Sequence, residues 1–80
     1  MAIDRKPLSV VVKPSSLFSE GKRLNAVEKL ITEIDILPEH YQTVETLYLS
    51  NNFIQSVKNI SQFVNLKVLS LTNNNVCFLL

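Results

Sequence analysis

Catalysis or metal binding needs nucleophiles, bases or ligands that converge, and this chain has few residues of those types. His40 is the only histidine, and it stands beside Glu39 in a loop introduced by Pro38. No second His, Cys or carboxylate lies at ligand spacing, so His40 reads as an exposed loop residue. Cys77 is the only cysteine, which excludes a disulfide within the chain. An activated thiol needs a neighbouring base. His40 is far from Cys77 along the chain, so Cys77 reads as a passive thiol. Gly21 is the only glycine, which leaves no Gly-rich loop to cradle phosphates. No enzyme, cofactor or metal site is expected from this inventory.

Three short signals remain. Asn59-Ile60-Ser61 spells a glycosylation sequon. Ile60 falls on an expected inward position, so the sequon reads as accidental. Arg5-Lys6-Pro7-Leu8-Ser9 matches a basophilic kinase site, and a solvated basic cluster is the plainer reading. The runs Asn51-Asn52 and Asn73-Asn74-Asn75 suggest a ligand box until their spacing is measured.

That spacing exposes a repeat. Val44, Leu47, Leu49, Asn52 and Ile54 recur as Leu66, Leu69, Leu71, Asn74 and Val76, each 22 residues later. Leu47 and Leu49 alternate with Thr46, Tyr48 and Ser50, which is strand periodicity. The asparagines then have a structural task. Asn52 and Asn74 follow the strand where the chain turns, and their amides can pair buried backbone groups of that turn and the next coil, forming a ladder. Val57, Ile60 and Phe63 continue the first repeat at every third residue, which suits 3₁₀ or short helical turns on the opposite face. The second repeat reaches Leu79, the counterpart of Val57.

Upstream the pattern decays. Ile31, Ile34 and Leu37 reproduce the spacing of Ile54, Val57 and Ile60, with one extra residue near Pro38-Glu39-His40-Tyr41. Lys29 stands where Asn52 would be. The same region also fits a helix over 20–34, with Leu24, Val27, Leu30, Ile31 and Ile34 on one face and Ser19 as N-cap. Of the two readings the helix is preferred, as a cap over the first full repeat. Residues 1–18 hold the β-branched run Ser9-Val10-Val11-Val12 between Pro7 and Pro14, read either as an edge strand or as a tail. The expected organisation is therefore 1–18 tail or edge strand, 19–43 irregular cap or degenerate repeat, 44–65 a repeat, and 66–80 an incomplete repeat. The fold class is α/β: a solenoid fragment with short parallel strands on one face, helical turns on the other and a partly helical N-terminal cap.

The outward strand face remains as the candidate functional surface. Thr46, Tyr48, Ser50 and Asn51 lie beside Val68, Ser70, Thr72 and Asn73, because stacked strands run about 4.8 Å apart. Repeat arrays bind through such surfaces, and Tyr48 is the expected anchor. Eight basic and seven acidic residues give a net charge of +1, so nucleic acid is not an expected partner. No stretch approaches the roughly 20 apolar residues of a membrane span. A lone thiol and no signal-like segment lead to the expectation of a reducing, cytoplasmic setting.

The Leu-x-x-Leu-x-Leu-x-x-Asn-x-Ile pattern resembles the leucine-rich repeat superfamily. Its 22-residue period, with Ile54, Val57, Ile60 and Phe63, resembles the subclass typified by a regulatory subunit of protein phosphatase 1. The resemblance covers 44–80 firmly and 31–43 loosely. It implies a protein-binding scaffold, with an enzyme regulatory subunit and a ribonucleoprotein component as alternatives. It also implies an intracellular place, including the cytoskeleton, centrosome, cilium or nucleus. The apolar ending Val76-Cys77-Phe78-Leu79-Leu80 stops in mid-repeat. It leads to the expectation of a truncated isoform or the N-terminal part of a longer repeat protein. Self-association through an open C-terminal edge is expected from the same feature.

Overall fold

The computed structural model describes residues 6–76. Arg5 of the basic motif, Cys77 and Leu79 lie outside the described residues. The chain forms β1 (Lys6–Pro7), α1 (Leu8–Val11), β2 (Leu17–Phe18), β3 (Arg23–Asn25), β4 (Ile31–Glu33), β5 (Thr46–Tyr48) and β6 (Val68–Ser70). Three 3₁₀ turns stand between them, at Pro14–Ser16, Glu39–Thr43 and Ile60–Gln62. The result is a small α/β repeat fold with little helix.

The main sheet has the order β2-β3-β5-β6. β5 and β6 are parallel, with Leu47 opposite Leu69, the 22-residue offset of the sequence. β3 and β5 are also parallel, with Leu24 opposite Leu47. The same backbone bonds recur at both junctions. Thr46 N–H donates to the Lys22 carbonyl at 3.0 Å, and Val68 N–H donates to the Glu45 carbonyl at 3.0 Å. Ala26 N–H reaches the Tyr48 carbonyl at 2.9 Å, and Leu49 N–H reaches the Ser70 carbonyl at 2.9 Å. Residues 23–43 are thus a coil of the same kind as the two that follow.

This corrects the helix expected over 20–34. That segment is strand, turn and strand, with Leu24, Ala26, Ile31 and Ile34 all in the core. An amphipathic helix would also bury Leu24, Ile31 and Ile34, and the two readings differ at Leu30, which the helix face would cover and the coil leaves exposed. Pairing with β5 decides the matter, because it satisfies backbone donors and acceptors on both strands.

The cap is formed instead by residues 6–18. β1 pairs in parallel with β4, placing Lys6 opposite Ile31. Leu8 is fully buried. β2 is an edge strand, antiparallel to β3, with Leu17 opposite Leu24. The β-branched run, read as either an edge strand or a tail, is largely the single turn α1, closed by Val12 N–H on the Leu8 carbonyl at 3.1 Å. Asp35 explains why. Its carboxylate accepts from Ser9 N–H at 2.8 Å and from the Ser9 hydroxyl, satisfying a donor that a first helical turn leaves open. Tertiary capping therefore overrides the strand preference of the valines.

The turn from β2 to β3 needs left-handed backbone. Glu20 and Gly21 have φ of 59° and 80°, as mirror-image hairpin turns require. A Cβ at Gly21 would also meet the Thr43 hydroxyl at 3.1 Å.

The core runs between strands and turns: Leu24, Ile31, Leu47, Leu49 and Ile54 are fully buried, with Tyr41 and Phe63 packed at the turns. Tyr41, expected in an irregular loop, sits on the 3₁₀ turn Glu39–Thr43 with only 5% of its surface exposed. Ile60, expected to be buried, is only half-buried. β6 has a neighbour on one side only among the described residues, so Leu69 and Leu71 stay half-buried. Leu47→Ala should therefore cost about 2–5 kcal/mol. Leu69→Ala should cost clearly less, as read from urea unfolding of both variants. Equal losses would show that the two leucines are equally enclosed.

Candidate functional site

The outward face is built by strand alternation. Leu24, Leu47 and Leu69 turn inward, so the residues on either side of each turn outward. The register then sets two rows. Arg23, Thr46 and Val68 form one, and Asn25, Tyr48 and Ser70 form the next. Beyond them the Ser50 and Ser70 hydroxyls bond at 2.6 Å. Thr46, Tyr48, Ser50 and Ser70 are half-buried, whereas Asn51, Thr72, Asn73 and Val68 are exposed. The eight residues proposed from sequence are thus brought onto one surface.

Three further residues join that surface. Arg23 and Asn25 extend the rows onto β3. Phe18, on β2, stacks on Tyr48 with ring centroids 6.3 Å apart and planes 10° from parallel. The sequence reading missed all three because the first coil lacks the repeat signature. The alternation Arg23-Leu24-Asn25-Ala26, displaced one residue from the 22-residue period, was the available signal. Phe18 carried none, since its partner lies two strands away in the sheet.

Asn51 and Asn73 do more than face solvent. Both have φ of 60°, and Glu28 takes φ of 56° at the same place in the first coil. Asparagine tolerates this left-handed conformation better than most residues. Asn73 Nδ2 also donates to Asn51 Oδ1 at 2.8 Å. The two amides therefore stabilise the strand ends as well as presenting polar groups.

Behind each of them stands the structural asparagine. Asn52 is 4% exposed. Its Oδ1 accepts from Lys29 N–H at 2.9 Å and Ile31 N–H at 3.1 Å. Its Nδ2 donates to the carbonyls of Ala26 at 2.9 Å and Leu49 at 2.8 Å. Asn74 repeats the arrangement one coil later, accepting from Ile54 N–H at 3.0 Å and donating to the Leu49 and Leu71 carbonyls at 2.8 and 3.1 Å.

A second set of amides, unforeseen from sequence, spans the turns. Asn59 Nδ2 donates to the Ile34 carbonyl at 3.0 Å, which ties the sequon asparagine to the first coil. Gln62 accepts from Leu37 N–H and donates to the Asp35 carbonyl, both at 2.7 Å. Asn65 Nδ2 reaches the Gln42 carbonyl at 2.8 Å. These residues sit at three-residue spacing between the apolar positions, a polar period that could have been read. Lys67 and Glu45 add an ion pair at 3.4 Å, but Lys67 is largely exposed and the pair contributes little.

His40 is exposed and lies against the Tyr41 ring, with centroids 4.3 Å apart. Among the described residues no three of His, Cys, Asp and Glu converge as metal ligands. No helix there is long and apolar enough to cross a membrane.

A family model described as Leucine Rich repeats (2 copies) matches residues 42–78, just under half of the chain. This supports a place in the leucine-rich repeat superfamily for the two repeats read from the sequence. Leucine-rich repeats generally act in protein–protein interaction and are typically non-catalytic. No curated protein and no solved structure matches the chain.

Removing the Asn52 side chain would strand buried donors and acceptors on two coils, at about 1–3 kcal/mol for each group left unpaired. Asn52→Ala should therefore destabilise the chain more than Asn74→Ala, whose site is half-buried and open to water. Thermal unfolding of the two variants checks the order.

Proposed function

We propose that this chain is a protein–protein interaction module that docks a partner on the outward face of its parallel strands. The observation that carries the reading is the continuous row Asn25, Tyr48 and Ser70, with Phe18 stacked on Tyr48. An aromatic pair set among hydroxyls and amides suits a binding anchor, because it contributes large apolar area at low entropic cost. The central strands β3 and β5 are paired on both sides, and this order lowers the entropy lost on docking. The same surface would serve a scaffold or a regulatory subunit of an enzyme such as a phosphatase. The cytoplasmic, centrosomal or ciliary setting belongs to this proposal too, and it is supported by the resemblance to intracellular relatives.

The test is quantitative capture with the wild-type chain and with Tyr48→Ala/Ser70→Arg. Truncating a central aromatic anchor costs about 2 kcal/mol or more, so the double variant should lose most of each bound partner. Both substitutions lie outside the buried core, so circular dichroism should show an unchanged fold. Wild-type recovery of every partner by the double variant would reject the face. Adding the chain to phosphatase assays then separates regulation from passive scaffolding: a change in activity or substrate preference marks a regulatory subunit.

A further inference from the structure

The N-terminal cap encloses a polar cleft that no repeat residue explains. Its volume is about 330 Å³, and the capping stretch 6–16 and the turn after β3 converge on it. β1 contributes Lys6, the loop before β2 contributes Lys13, Ser15 and Ser16, and the turn after β3 contributes Lys29. Val10 and Val11 of α1 also line it, and among the described residues the lining contains no carboxylate. Lys13 and Lys29 are exposed, and neither lies within ion-pair distance of a carboxylate among the described residues. Ser16 Oγ accepts from Lys13 N–H at 3.2 Å, which leaves its hydroxyl hydrogen to donate elsewhere.

Lys29 occupies the ladder position, the place taken by Asn52 and Asn74 in the next two coils. Asn52 there turns inward and is 4% exposed, whereas Lys29 is exposed and lines the cleft. The backbone next to Lys29 is already satisfied: its N–H donates to Asn52 Oδ1, and the Leu30 carbonyl accepts from Lys6 N–H at 3.2 Å. The first coil therefore does not need an amide at this position, and a cation stands in its place.

We propose that this cleft binds a phosphomonoester carried on a partner peptide. A phosphate ester has a charge of about −1.5 to −2 and three acceptor oxygens, which match lysine ammoniums and serine hydroxyls as donors. The cations converge on one cleft rather than forming a stripe, and the chain's net charge is only +1. Both features favour a single phosphate over a nucleic-acid backbone, which needs a row of cations. A second hollow of about 290 Å³ shares Ser15, Ser16 and Lys29 and adds Phe18, Asn25 and Val27. It gives room for residues flanking the phosphate, which a free anion would not use. The phosphate cleft itself shares no residue with the strand face, and the second hollow borders that face at Phe18 and Asn25.

The experiment titrates the full 80-residue chain with a phosphoserine peptide pool of randomised flanks, its unphosphorylated counterpart, inorganic phosphate and a short single-stranded RNA. The phosphorylated pool should bind at least about tenfold tighter than its counterpart, as charge-assisted bonds to a phosphate require. Lys13→Glu/Lys29→Glu should abolish that preference, and Lys13→Gln/Lys29→Gln should weaken it. All three proteins should give the same circular dichroism, because both lysines are exposed. Equal binding of the two pools, or an unchanged preference in both double variants, would overturn the site. Inorganic phosphate binding as tightly as the phosphorylated pool would overturn the peptide assignment, and so would tighter lysine-dependent binding of the RNA.

Discussion

A chain that turns sharply after a three-residue strand leaves backbone donors and acceptors inside the molecule, and they must be paired. Asn52 resolves this for the central coil. One buried side chain accepts from two N–H groups of the preceding coil and donates to carbonyls on both coils. A carboxamide can accept two bonds at its oxygen and donate two from its nitrogen, whereas a hydroxyl has a single hydrogen to donate. A leucine at this site would leave these groups unpaired, and an aspartate could not donate to the carbonyls. The rest of the structure depends on this bond set, because it holds the turn against its neighbour while Leu47 and Leu49 close the core beneath it.

Parallel register follows from that constraint and gives the surface its shape. With the turns locked at successive coils, Leu24, Leu47 and Leu69 fall opposite one another. Their outward neighbours then line up in rows without any direct selection for alignment. The hydroxyl pair Ser50–Ser70 and the amide pair Asn51–Asn73 are products of this alignment. The turn amides Asn59, Gln62 and Asn65 act on the opposite side of the coil. The repeat over 44–65 is therefore tied to its predecessor at both ends.

The N-terminal end obeys different chemistry. The first coil has no equivalent repeat before it among the described residues, so its buried groups are met by β1, by Leu8 and by Asp35 acting on Ser9. An amide at position 29 would have no preceding turn to serve. Lysine is tolerated there, and this substitution creates the cationic cleft. Closing the end of a repeat array and assembling a charged pocket are thus consequences of the same local departure.

The sequence by itself determined the repeat length, the inward leucines, the structural asparagines and the outward residues from Thr46 to Asn73. Burial and backbone pairing restrict residue type at each of those positions, and the restriction recurs, so the pattern is visible twice. Only the tertiary structure decided the conformation of residues 6–43. Leu24, Val27, Leu30 and Ile31 fit a helix face as well as a coil, and the valines before Pro14 fit a strand as well as a turn. Pairing of β3 with β5 and capping of Ser9 by Asp35 are contacts between distant segments, and no local period records them. For the same reason Phe18 joins Tyr48, and three lysines share one cleft, only once the coils have stacked.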